Sequence, residues 1–206
     1  MDGFKLYIPG ATKISLNDKR YHVFLSFRGK DVRKTLVDHL FQALSAAGLN
    51  VFLDSHKLKK GEIIDLCLEN AIKCSSIRIP IFSKGYASSA WCLKEAALML
   101  ASPGLIIPLF YEMEPTHVRY PQGSSSPYEK SFEKYYSQLD RYSREEIDGW
   151  KHALEQICCR SGWSLDMTGR IRRHREYKSN IDSADQHRIS AIALKNTQDN
   201  TNRKLS

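Results

Sequence analysis

No apolar run in the sequence approaches the ~20 residues that span a bilayer. The stretch Leu105 to Tyr111 is only strand-sized. The opening segment, MDGFKLYIPGATKISLNDK, lacks the apolar core of a secretory leader. These absences predict a soluble cytoplasmic protein with no membrane partner. Cysteine is scarce and odd in number: Cys67, Cys74, Cys92, Cys158 and Cys159. Without a repeated CxxC spacing they form neither a disulfide framework nor a structural zinc site, so no metal is expected. No G-x-G-x-x-G opens a helix and no G-x-x-x-x-G-K-[ST] occurs, which excludes the usual redox dinucleotide and P-loop sites. There is no G-x-S-x-G nucleophile elbow either. A phospho-receiver would place an aspartate after the third strand, where Ser83 and Lys84 stand.

What is present is an ordinary globular mixture. The 206 residues suit one domain with extensions, at 42% hydrophobic and 26% charged. The net charge of +8 is unevenly spread. From Arg160 onward there are ten Lys/Arg against five Asp/Glu. The basicity is therefore concentrated in the last quarter of the chain, including the run RIRRHR at 170–175.

Between these ends the periodicity alternates. His22 to Phe27 is a β-rich run, and Lys34 to Ala47 has apolar residues at helical spacing. Gly48 follows as a helix stop. Val51–Leu53, Ser76–Phe82, Leu105–Tyr111 and Gly162–Leu165 read as further strands. Ile63–Lys73, Ala90–Leu100, Ser131–Gln138 and Glu145–Cys159 read as helices, with Pro115 to Pro127 as loop. This order predicts an α/β fold: a flavodoxin-like five-stranded parallel sheet, order 2-1-3-4-5, with helices on both faces. The expected organisation is an extension at 1–18, a domain at 19–168 and a basic, mostly flexible tail at 169–206.

In such a sheet, ligands bind beyond the strand C-termini where the strand order reverses, here between strands one and three. Those ends are Phe27-Arg28-Gly29-Lys30-Asp31 and Ser83-Lys84-Gly85-Tyr86. The helix that follows carries Trp91 and Glu95, four apart and on one face. Arg28 and Lys30 suit an anionic group, and Gly29 allows close backbone approach. Each residue also has a plainer reading: Arg28 pairing with a carboxylate, Trp91 in the core, Glu95 as a solvated helix residue. Spacing alone does not choose between them.

The motifs themselves carry a likeness. Tyr21-His22-Val23-Phe24-Leu25-Ser26-Phe27-Arg28-Gly29 and Ser83 through Glu95 (SKGYASSAWCLKE) resemble blocks of plant Toll/interleukin-1 receptor (TIR) domains. So do Ile107-Pro108-Leu109-Phe110-Tyr111 with Pro115, Val118 and Arg119, the helix segment Trp150-Lys151-His152-Ala153-Leu154, and Gly162-Trp163. Departures from the family pattern are Ala96, Glu114, Asp38-His39 and the basic loop from Asp54 to Glu62. The resemblance reads as a TIR-only protein. It implies an NAD⁺ glycohydrolase or ADP-ribosyl cyclase that self-associates and feeds immunity and cell death. NAD⁺, with NADP⁺ as an alternative, is then a substrate and no cofactor is implied. Glu95 is implied as the catalytic carboxylate, with Phe27, Arg28, Gly29, Lys30, Ser83, Tyr86 and Trp91 binding substrate. Lys60, Gly61 and Glu62 would belong to a loop covering the site. Asp38, His39, Trp150 and Lys151 would lie on self-association surfaces. Two other roles implied by the family are a non-catalytic homotypic adaptor and synthesis of cyclic nucleotides from nucleic acid. For the latter, RIRRHR lacks interleaved aromatics and reads rather as a solvated charge run or a localisation signal, with the nucleus as a second compartment.

Overall fold

The structure, a computed structural model, describes residues 21–53 and 64–174. Its centre is strand β3, Ser75–Phe82, in which every residue is buried. β1 (Tyr21–Phe27) lies parallel to it on one side and β2 (Val51–Leu53) parallel beyond β1. On the other side come β4 (Leu105–Ile106), β5 (Leu109–Tyr111) and β6 (Gly162–Leu165), all parallel. β4 and β5 are the two halves of the expected fourth strand, so the predicted order 2-1-3-4-5 holds. The split falls at Pro108, which has no N–H to give the ladder. Its carbonyl accepts instead from the N–H of Trp163 at 3.0 Å.

Alternation along β1 and β3 sorts side chains onto two faces. Val23, Leu25, Phe27, Ile77, Ile79 and Ile81 form one core with Val32, Val37, Leu40 and Leu44 from the first helical stretch. Phe24 and Phe82 join Phe110 in the other, under α3 (Ile64–Cys74), α4 (Ala90–Ala101) and α7 (Arg144–Cys158). Helices therefore cover both faces, as the alternation predicts. Arg78 is the exception on the second face. Its guanidinium is fully buried, with no hydrogen-bond partner among the described residues. Burial first, and Arg160 second, lower its pKa to about 10. Gly104, at φ +132, makes room for it, since a Cβ there would sit 2.5 Å from its Nη2.

The first helical stretch starts earlier than the apolar spacing indicates. It runs as α1 (Gly29–Val32), a π-helical turn (Arg33–Val37) and α2 (Asp38–Ala46). The wide turn shifts the helical phase between Val32 and Leu40, so no single period describes the segment. Gly48 does stop it: at φ +80 it allows the Leu49 N–H to return 3.1 Å to the Leu44 carbonyl. The Pro-rich segment read as loop contains a short helix, α5 (Pro115–Arg119), with Pro115 in its first turn. α6 is Glu129–Tyr136.

The segment read as the start of a flexible tail is structured. β7 (Ile171–His174) pairs antiparallel with β6. Asp166 builds the connecting turn: its Oδ1 accepts from the N–H of Thr168 and of Arg170, each at 3.0 Å. Gly169 supplies the left-handed residue at φ +76. Residues 175–206 and 1–20 lie outside the described residues, as does the loop at 54–63.

Candidate active site

β1 and β3 bring the two expected loops together at their C-terminal ends, and Asp31 is what joins them. Its carboxylate accepts from Arg28 Nη1 at 2.7 Å, from Ser83 Oγ at 2.5 Å and from the Gly85 N–H at 3.1 Å. Arg28 thus pairs with a carboxylate three residues away, on a helical turn. The glycine that permits close approach is Gly85. A Cβ there would lie 2.3 Å from Arg28 Nη1 and 2.6 Å from Asp31 Oδ2. Gly29 carries no such constraint; its nearest atoms would be the Arg33 guanidinium at 3.4 Å.

Glu95 is 1% exposed, so its reading as a solvated helix residue is overturned. It lies on the inner face of α4 with Cys92, Leu93, Ala96 and Met99. A buried carboxyl needs hydrogen-bond partners, because desolvation is costly. Ser26 Oγ supplies one, donating to Glu95 Oε2 at 2.5 Å. Ser26 sits one residue before Phe27 in β1, so it faces α4 while Phe27 faces the other core. Tyr86 Oη lies 2.7 Å from Ser26 Oγ and donates to the Cys92 carbonyl at 2.9 Å. Burial, then the proximity of Cys92 and Glu95, push the Tyr86 phenol well above its ordinary pKa, so it stays a donor. Ser89 caps α4 by accepting from the Cys92 N–H. Tyr128 reaches in from the start of α6 and donates to the Ser83 carbonyl at 2.8 Å.

The other expected site residues divide into three groups. Lys30 is exposed, and Trp91 is half-buried and packs against the core of the second face. Phe27, Ser83 and Tyr86 belong to the buried wall beneath the crevice; the Phe27 ring has the Arg33 guanidinium at 4.9 Å. Lys60, Gly61 and Glu62 lie outside the described residues. Of the residues expected on self-association surfaces, Asp38 and His39 are exposed and Lys151 half-buried. Trp150 is not a surface residue: it is 1% exposed, edge-on to Tyr135 and Tyr142. Its helical spacing with Ile147, Leu154 and Ile157 puts it on the buried face of α7. Sequence reasoning missed Ser26, Asp31 and Tyr128. The available signal for Asp31 was its i,i+3 spacing from Arg28.

The profile of the TIR domain family matches residues 20–185, well over half of the chain. The chain belongs to the TIR domain family. Its match extends past the expected boundary at 168 and takes in β7. Among curated relatives, disease resistance protein RUN1 of Vitis rotundifolia is 38% identical over 152 residues, covering 70% of this chain and 11% of that protein. A probable 2′ cyclic ADP-D-ribose synthase, BdTIR, of Brachypodium distachyon is 35% identical over 105 residues, covering 51% of this chain and 47% of that protein. The chain thus spans about a tenth of the length of the disease resistance relatives it matches. Among solved structures, the TIR domains of the activated Roq1 resistosome, which directly recognises the pathogen effector XopQ, match at TM-score 0.65 and 34% identity. They cover 87% of this chain and 98% of that one.

Proposed function

We propose that this TIR domain cleaves NAD⁺ at the β1–β3 crevice, releasing nicotinamide and forming ADP-ribose or a cyclic ADP-ribose isomer as an immune signal. The observation that carries the reading is Glu95, a buried carboxyl with a hydrogen-bonding hydroxyl, placed at the switch point of the sheet. Nicotinamide leaves as a neutral base from a cationic glycosyl bond. No acid has to protonate it, so the two carboxyls of ordinary glycosidases are not required. One carboxylate suffices to orient the ribose hydroxyls and oppose the positive charge of the oxocarbenium-like transition state. Lys30 and a released Arg28 supply cations for the diphosphate, and Trp91 an aromatic wall. Support comes from a relative named as a probable cyclic ADP-ribose synthase. Self-association is supported by the resistosome structure in which a TIR relative was solved.

With Glu95 sealed and Arg28 held by Asp31, the crevice has to open for turnover. That observation gives a second reading, the homotypic adaptor, its footing, since an adaptor needs no opening. One experiment separates them. Purified protein is incubated with NAD⁺ or NADP⁺, and the products are followed by chromatography and mass spectrometry. Nicotinamide release that falls about 10²-fold or more in Glu95→Gln supports the enzyme. No release at any protein concentration leaves the adaptor.

A further inference from the structure

Glu95, Ser26, Tyr86 and Cys92 close a ring of hydrogen bonds that leaves α4 and returns to it. Glu95 Oε2 accepts from Ser26 on β1 at 2.5 Å, and Ser26 lies 2.7 Å from the hydroxyl of Tyr86 in the turn after β3. With the Ser26 O–H given to Glu95, the single Tyr86 O–H is shared between Ser26 Oγ and the Cys92 carbonyl, three residues before Glu95 on the same helix, at 2.9 Å. All three side chains are at most 1% exposed, so water does not compete for these bonds. We propose that Ser26 is a positioning residue: anchored through Tyr86, it fixes the Glu95 carboxylate in the orientation that the crevice chemistry uses. The proposal rests on the NAD⁺-cleaving reading given above.

The geometry assigns this work to Ser26 for a stated reason. A glutamate side chain on a helix has three rotatable bonds, and an apolar pocket sets none of them by itself. The carboxylate can be held to a small arc only by a donor on a different, rigid element. β1 is such an element, paired on both sides by β2 and β3. Ser26 has one O–H to give, so its own orientation must be set by something else, and Tyr86 is the group within reach. Tyr86 is in turn fixed by the Cys92 carbonyl and by packing edge-on to Phe82, with ring centroids 5.0 Å apart. A serine buried in the middle of a β-strand would otherwise be a poor choice against valine, which favours strands and buries no hydroxyl.

The test is steady-state NAD⁺ cleavage by the full chain carrying Ser26→Ala, Ser26→Thr, Tyr86→Phe and Ser26→Ala/Tyr86→Phe, with melting curves for each. Ser26→Ala is expected to lower kcat about 10- to 100-fold, the range for a lost bond to a charged group, with KM within about twofold. Ser26→Thr, which restores the hydroxyl, recovers most of kcat. Tyr86→Phe lowers kcat about 3- to 10-fold, and adds nothing in the Ser26→Ala background because it acts through Ser26. Additive losses that track melting temperature, or a Thr variant no better than Ala, overturn the proposal in favour of a packing role. Wild-type kcat in Ser26→Ala overturns it while leaving the NAD⁺ reading intact. A second readout does not depend on turnover. The carbon NMR signal of the Glu95 carboxyl, identified by its loss in Glu95→Gln, should move in Ser26→Ala and return in Ser26→Thr. An unmoved signal overturns the proposal even if the protein cleaves nothing.

Discussion

Replacing Gly85 by alanine tests whether the Asp31 clasp holds the crevice together. The backbone at Gly85 is ordinary, at φ −97, so alanine adds no torsional strain. All of the cost comes from space. The new Cβ would lie 2.3 Å from Arg28 Nη1 and 2.6 Å from Asp31 Oδ2, and both must move. The Arg28–Asp31 pair has side chains 31% and 19% exposed, so its loss costs less than about 1 kcal/mol. The Gly85 N–H and Ser83 hydroxyl bonds to the carboxylate are worth more, about 1.5–3 kcal/mol each if broken, but displacement weakens rather than removes them. The expected sum is a loss of about 1–3 kcal/mol, or roughly 3–8 °C in melting temperature for a domain of this size. Gly149 provides the control. It lies inside α7 with nothing within 4 Å of an added Cβ. Gly149→Ala should gain about 0.5–1 kcal/mol from helix propensity alone. Differential scanning calorimetry of both variants, and of Gly85→Ala in an Arg28→Ala background, decides the matter. The reasoning fails if Gly85→Ala melts with wild type, or if removing Arg28 leaves its cost unchanged.

Other outcomes follow from the same contacts. Trp150→Ala should lose about 3–5 kcal/mol, because the indole fills a fully buried aromatic cluster; denaturant unfolding reads this directly. Lys151→Ala, next to it but half-buried, should change stability by less than about 0.5 kcal/mol. The β6–β7 turn should be acid-sensitive. Hydrogen bonds from Thr168 first, then from the Arg170 main chain, hold Asp166 down at about 2 against an ordinary 3.8. Because the folded value is the lower one, the anchor is complete above the ordinary value and is lost as pH falls through about 2. Amide signals of Thr168 and Arg170 should move over that window in wild type and not in Asp166→Ala. If the site is completed by self-association, specific NAD⁺-cleaving activity should rise with protein concentration. His39→Ala, at an exposed helix position, should flatten that rise; a flat wild-type profile would refute it.

The alternation of periods along the chain was enough to place the sheet, its order and the crevice, because strands and helices that bury one face repeat at 2 and 3.6 residues. Gly48 was legible for a similar reason: only a left-handed residue closes that helix cheaply, and glycine is the usual one. What could not be read was which polar residues turn inward. Glu95 on a helix and Ser26 on a strand look solvent-facing in a local pattern. Their bond joins positions 69 residues apart, so neither neighbourhood announces the other. Asp31 is the same case: its partners Ser83 and Gly85 lie 52 and 54 residues away. Trp150 failed in the opposite direction. A family role was laid on a residue whose own helical spacing already marked it as core. β7 was missed because charge dominates Arg170 to His174, although the Asp166-x-Thr168-Gly169 sequence is a turn signal with its own mechanism.

The β6–β7 pairing also decides how this sheet ends. A parallel sheet that stopped at β6 would present a row of unpaired main-chain donors and acceptors, a template for strand addition by another molecule. β7 takes up that row, reverses the strand direction and is the rim among the described residues. Its own side chains include Arg172, strongly exposed, and Arg173, charges that discourage a further strand from docking. The basic run that reads as a tail therefore begins as a guard against fibre-like growth. Cutting the chain at 168 should expose the β6 rim and promote aggregation, whereas cutting it after 174 should leave the guard in place.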